Sequence, residues 1–179
     1  MKVYDVLKDL SLIVMSLFMM DIVHELGHAF FGILMGGSLE YIKVAFFRIY
    51  PDFAIEQEFV VGYVLVSGLY GFSRGVFLFG GSFTTLLFST FVFFIALTVK
   101  KSKGGEAIKF LKFSGIVGSL DMPFYIIFPY LGLKHWIIIG GNFPEPIVGL
   151  EMMGIPNFIS IPILLSYSFY ILSLYVSKI

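Results

Sequence analysis

The chain has 179 residues, of which 58% are hydrophobic and 13% charged, and its mean hydropathy is +0.95. Soluble domains carry roughly a quarter of charged residues, so this composition excludes an ordinary water-soluble protein and predicts one integral membrane domain over 1–179. The formal net charge is zero, so no field draws nucleic acid as a partner. With no cysteine, any metal must be held by histidine and carboxylate groups. We expect a multi-pass protein of the plasma membrane, surrounded by the lipid bilayer.

Four segments approach the roughly 20 apolar residues that a helix needs to cross the hydrocarbon layer. They cover residues 10–34, 76–99, 108–131 and 158–176. We therefore predict an all-α polytopic membrane protein with about four transmembrane helices.

The first span contains His24-Glu25-Leu26-Gly27-His28. Two histidines at i and i+4 project from one face of a helix and can share a metal ion. Glu25 is placed to take a proton from water and pass it to a leaving amine. The alternative is a set of polar residues packed among themselves, although charged groups cost roughly 2.5–3.5 kcal/mol each in a membrane span. The motif predicts metal-assisted hydrolysis, with His24 and His28 as ligands and Glu25 as the catalytic base.

Asp21 lies on the same helix face, three residues before His24. Its carboxylate can accept the second ring N–H of His24 and so fix the tautomer. An acid that faces water in a cavity is the other interpretation.

Residues 38–67 alternate in polarity and are rich in β-branched and aromatic types, with Pro51-Asp52 as a turn signal. This pattern predicts a small membrane-associated β-hairpin. Because open strand edges are costly in lipid, we expect the hairpin to pack against the helices.

The second span presents small residues, among them Gly80-Gly81-Ser82, which favour close helix packing. Five lysines follow in or near the next connection: Lys100, Lys101, Lys103, Lys109 and Lys112. Short loops rich in lysine face the cytoplasm, so this connection and both termini are predicted to be cytoplasmic.

Asp121 is the only acid within the third span. A catalytic zinc ion takes three protein ligands, and Asp121 matches the depth of His24 and His28 if both helices start from the same side. Asp121 is therefore the candidate third ligand, with a helix-pairing role as the alternative. Pro123 is expected to kink this span near the site.

Residues 132–157 are predicted to form a long loop with several glycines and prolines. His135 and Trp136 are interpreted as an interfacial pair. Asn142, Glu145 and Glu151 are interpreted as solvated loop residues, with a contact to a substrate strand as the alternative. The last span carries no charge and is expected to be a plain packing or lipid-facing helix.

At these residues the chain resembles the site-2 protease family of intramembrane zinc metalloproteases, and in particular its small, divergent members. The resemblance rests on the motif at 24–28, the β-rich segment after it, Gly80-Gly81-Ser82, and Ser119-Leu120-Asp121. The third-span signature of the family normally reads Asn-x-x-Pro-x-Pro-x-Leu-Asp-Gly, whereas here Met122-Pro123 follow Asp121 and no asparagine stands upstream in that span.

The resemblance implies that Asp121 is the third zinc ligand, that Glu25 is the acid and base, and that the substrate is a peptide bond of a transmembrane protein. Members of this family usually open their site toward the cytosol, whereas the lysine count places the catalytic helix ends outside. Two other functions fit the same residues. One is a metal-binding membrane transporter, and the other is a catalytically idle scaffold that binds membrane helices.

Overall fold

The structure, a computed structural model, describes residues 3–99, 105–137 and 139–178. Its elements are α1 (Val3–Leu34), β1 (Ser38–Tyr50), β2 (Ala54–Ser67), α2 (Gly71–Val99), α3 (Gly105–Tyr130), α4 (Glu145–Met152) and α5 (Asn157–Lys178). The predictions of a mostly helical chain and of a small antiparallel hairpin are confirmed. Lys100, Lys101 and Lys103, on which the predicted orientation partly depends, lie outside the described residues.

Three helices within the described ranges are long and apolar enough to cross a membrane. They cover Gly71–Thr98, Gly105–Tyr130 and Asn157–Lys178. These segments match the last three predicted spans to within a few residues, which supports a membrane protein. The first predicted span lies in α1, which is not in this group, so a fourth transmembrane helix stays a prediction.

The hairpin folds back along α1. Val44 of β1 pairs with Gly62 of β2, and Val44 is fully buried beneath the sheet. Farther along β1, the ring of Phe47 lies 5.9 Å from that of Phe18 on α1. A register shift follows Val44, where β2 has one more residue than β1, as expected for a bulge. The hairpin therefore covers the side of α1 that carries the motif.

α1 and α3 start at the same end of the molecule. Lys8 on α1 lies 3.0 Å from Glu106 on α3, and Lys109 on α3 lies 2.7 Å from Asp9 on α1. Farther in, the hydroxyl groups of Ser16 and Ser114 are 3.1 Å apart. Residues at similar distances along the two helices therefore lie at similar depth, which brings the third-span acid level with the motif.

The segment predicted as a loop over 132–157 contains a further helix, α4, and this is a correction. Pro144 precedes the helix and Pro146 lies in its first turn, where the missing N–H and the fixed φ angle of proline are favourable. Gly149 lets α4 approach α2 closely, because a Cβ atom added there would lie 2.7 Å from the carbonyl oxygen of Gly75. Ile147 and Leu150 of α4 are buried. The helix is thus held firmly against α2.

Candidate metal centre

Two buried histidines, His24 and His28, lie one turn apart on the same face of α1. Nδ1 of His24 lies 3.0 Å from Oδ2 of Asp121, and Nδ1 of His28 lies 2.7 Å from the carbonyl oxygen of Phe77. Carboxylate and carbonyl oxygens only accept hydrogen bonds, so each imidazole carries a proton on Nδ1 and donates it. In the neutral rings, which are the form that binds a metal, each Nε2 atom then has a free lone pair.

A third acceptor, the carboxylate of Glu145 at the start of α4, lies close to both Nε2 atoms. The two Nε2 atoms are 3.0 Å apart. Oε2 of Glu145 lies 3.7 Å from Nε2 of His24 and 3.2 Å from Nε2 of His28. Two ligand atoms on one tetrahedral zinc ion, each about 2.05 Å from it, are about 3.3 Å apart, so these separations bracket the expected value. Three acceptors this close repel one another unless protons or a cation lie between them.

The cluster of His24, His28 and Glu145 can therefore bind a metal ion. Two imidazole nitrogens and one carboxylate oxygen are a ligand set that catalytic zinc uses, with a fourth position left for water or substrate. Gly81 on α2 keeps the space beside these atoms open. A Cβ atom added at Gly81 would lie 2.6 Å from Nε2 of His24 and closer still to Nε2 of His28.

Glu25 faces a cavity of about 220 Å³ beside the cluster. The same cavity is lined by His28 and Glu145, so a group bound there would meet both the metal ligands and the carboxylate of Glu25. Strand β2 reaches this point at Gly62, where an added Cβ atom would lie 2.8 Å from Oδ1 of Asp21 and closer to Oε1 of Glu25. The absence of a side chain at Gly62 allows the strand to lie directly over both carboxylates.

Asp121 lies in the site, but on the far side of His24 from the cluster. Its Oδ2 accepts from Nδ1 of His24 and also from the hydroxyl of Thr85 at 2.7 Å. A carboxylate in this position fixes the tautomer and the ring orientation of a metal-ligating histidine. This is the contact that the sequence had suggested for Asp21. The prediction that Asp121 itself is a ligand stays a prediction, since the three convergent ligand atoms belong to other residues.

Tyr125 and His135 form a stack on the ring of His24. Tyr125, one turn after Asp121 on α3, lies with its ring centre 4.7 Å from that of His24 and 3.6 Å from that of His135. Burial lowers the pKa of His135; its neutral ring donates from Nε2 to the carbonyl oxygen of Phe143 at 2.8 Å. His135, interpreted from sequence as an interfacial residue, therefore ties the connection before α4 to the site.

Sequence reasoning missed Glu145, which was interpreted as a solvated loop residue. The structure places it among the histidines, with its side chain 26% exposed. Its one local signal is its position between Pro144 and Pro146, which marks a helix start. Glu151, on the same helix, is exposed, and its carboxylate accepts from Asn157.

Comparison with protein-family models, with curated proteins and with solved structures finds no match to this chain. The assignment of a function therefore rests on the residues and geometry of the site itself.

Proposed function

We propose that the chain is an integral-membrane zinc metallopeptidase of the site-2 protease type, which hydrolyses a peptide bond in or near a transmembrane segment. The observation that carries the proposal is the convergence of three acceptor atoms from His24, His28 and Glu145 beside a cavity that Glu25 lines. A structural zinc site has four protein ligands and no open position. Three protein ligands beside a cavity leave one coordination position for water or substrate, as in a catalytic site.

The surface of α1 supports its inclusion as a fourth span. Its ionisable motif residues are turned inward, with His24, Glu25 and His28 all less than 7% exposed. The outward positions are large and apolar: Leu10, Val14, Met15, Leu17, Phe18, Leu26, Phe30, Ile33 and Leu34. Ionisable residues that face the interior of a bundle are the usual arrangement in membrane proteins, and they mark functional sites.

His24, His28 and Glu145 would hold the zinc ion, which would supply Lewis acidity toward a substrate carbonyl and toward water. Glu25 accepts a proton from the attacking water as the water oxygen bonds to the carbonyl carbon and the carbonyl π electrons move onto the carbonyl oxygen. The carbon–nitrogen bond then breaks. Glu25 returns the proton to the departing nitrogen, so the carboxylate is restored for the next turnover.

The hairpin supports an extended substrate. A peptide must be unwound before its carbonyl can be attacked, and an exposed strand edge provides main-chain partners for it. β2 lies over Glu25 at Gly62, and Val61, Gly62 and Val64 line the cavity. In this proposal the substrate lies along the hairpin with its scissile carbonyl next to the cluster. Asp121 orients His24 through the hydrogen bond to Nδ1.

The test uses the purified chain in liposomes with a co-reconstituted single-span substrate. We expect one zinc ion per wild-type chain and cleavage of the substrate. Glu25→Gln should retain the zinc and lose cleavage, while Glu40→Gln, on the exposed part of β1, should keep both.

Cleavage by Glu25→Gln at the wild-type rate would refute the hydrolytic mechanism. Zinc flux into the liposomes without cleavage would instead establish the transporter. One bound zinc ion without cleavage of any membrane substrate that the wild type binds would establish the idle scaffold.

A further inference from the structure

The hydroxyl group of Tyr125 is not used by the mechanism above. Tyr125 is 9% exposed and lines the cavity together with Glu25, His28 and Glu145. Its phenol makes no hydrogen bond to any residue in the described part of the chain. A buried phenol ordinarily finds a partner, because an unmade hydrogen bond is costly. A residue that lines a cavity and has a free hydroxyl donor is therefore available to a ligand.

The ring of Tyr125 is held from both faces. His24 lies on one side and His135 on the other, with interplanar angles of 29° and 28°. His135 is itself fixed by its hydrogen bond to Phe143, and Tyr125 belongs to the same helix as Asp121. A donor that is fixed before the substrate arrives needs no reorganisation during the reaction, which is the condition for strong stabilisation of developing charge.

We propose that Tyr125 is a catalytic residue that donates a hydrogen bond to the oxyanion formed from the scissile carbonyl; this inference rests on the proposed peptidase function. When water adds to the carbonyl carbon, the π-electron pair moves onto the carbonyl oxygen, and the phenol donates to that oxygen without giving up its proton. When the carbon–nitrogen bond breaks, the pair returns to form the new carboxyl group. The phenol is unchanged at the end of the cycle.

Two glycines leave room for a substrate beside the cluster and Glu25. Gly62 on β2 and Gly81 on α2 both approach the site with no side chain. Tyr125 and Glu25 both line the cavity beside the cluster, so a carbonyl group bound there can meet both side chains. This division gives the acid–base step and the charge-stabilising step to different residues.

The test is Tyr125→Phe, which removes the hydroxyl and keeps the ring in its stack. We expect an unchanged zinc content, a nearly unchanged KM, and a kcat lower by about 10²–10³-fold, the usual loss for one oxyanion donor. A phosphinic analogue of the substrate, which mimics the tetrahedral oxyanion, should bind more weakly by a similar factor. The matched control is Tyr70→Phe, because Tyr70 is 81% exposed and lies outside the site.

Wild-type kcat and wild-type phosphinate binding in Tyr125→Phe would overturn the assignment, and so would a loss of zinc in that variant. Failure of the peptidase proposal has a different signature, because there the wild type itself would leave the substrate intact. The phosphinate measurement is independent of turnover, so it tests the hydroxyl even where cleavage is slow.

Discussion

Nδ1 of His24 on α1 and Oδ2 of Asp121 on α3 lie 3.0 Å apart, and this contact joins the two helices at the level of the motif. It directs the other ring nitrogen of His24 toward His28 and Glu145. The carboxylate of Asp121, which the sequence suggests as a ligand, thus orients the ring of His24, a candidate ligand.

The relative roles of Asp121 and Glu145 lead to a prediction about zinc affinity. Asp121→Asn removes the charged acceptor behind His24 and should weaken zinc binding by about 10–100-fold. Glu145→Ala removes a ligand atom and should weaken it more. Glu151→Ala, on the same helix, is the control. Isothermal titration with zinc measures all three, and a greater loss in Asp121→Asn than in Glu145→Ala would establish Asp121 as the third ligand.

Gly81→Ala should abolish zinc binding. The added methyl group would lie within 2.6 Å of Nε2 of His24, so the histidines must turn away from Glu145. Gly105→Ala, where nothing lies within 4 Å of the added atom, is the control for the general effect of alanine in a helix. Metal content by atomic absorption is the measurement. Full occupancy in Gly81→Ala would mean that the ion lies elsewhere.

Gly62→Ala should impair catalysis while zinc stays bound. Its methyl group would meet the carboxylates of Asp21 and Glu25 and push β2 away from the cavity. Misplacement of a catalytic group by about 1 Å costs on the order of 10²-fold in rate. Ser67→Ala, at the exposed end of the same strand, should have no such effect. Cleavage rate and zinc content, measured together, separate this outcome from a loss of the ion.

The ion pair between Lys43 on β1 and Glu56 on β2 gives a prediction about pH. Glu56 accepts from Lys43 at 2.7 Å and from Tyr41 at 2.7 Å, and these hydrogen bonds lower the pKa of Glu56. An unfolded glutamate titrates near 4.3, so the stabilisation is present above that pH and is lost as the pH falls through the lower folded pKa.

Glu56→Gln should therefore speed amide hydrogen exchange of the hairpin at about pH 6, whereas wild type and variant should approach one another as the pH falls through the folded pKa of Glu56. Glu58→Gln, two positions along the strand, serves as the control. A difference that persists unchanged at low pH would show that the charge of Glu56 is not the cause.

The parts of the site that the sequence predicted are those that depend on helical spacing alone. His24 and His28 share a face because they are four residues apart, and Asp121 matches their depth because α1 and α3 start together. The hairpin was predictable from alternation and from the turn at Pro51-Asp52. The position of Glu145 was not predictable, because a single acid in a proline-rich segment carries no periodic signal. Only the packing of α4 against α2 brings Glu145 to the histidines.

The stacking of Tyr125 on His135 could not be predicted from residue spacing either. The two residues belong to different elements, and their contact depends on the path of the chain after α3. Ring stacking between segments leaves no pattern in a single sequence, so the oxyanion donor proposed here could be recognised only from the arrangement in space.

The metal cluster joins residues from opposite parts of the chain. His24 and Asp121 are 97 positions apart, and Glu145 follows later still. During synthesis, α1 leaves the ribosome with His24, Glu25 and His28, but the carboxylate of Glu145 follows only after two more long helices. Contacts of such long range form late in folding. If the chain hydrolyses peptide bonds as proposed, a partly made chain has no complete centre with which to cut its neighbours in the membrane, and the proposed activity appears only when assembly is complete.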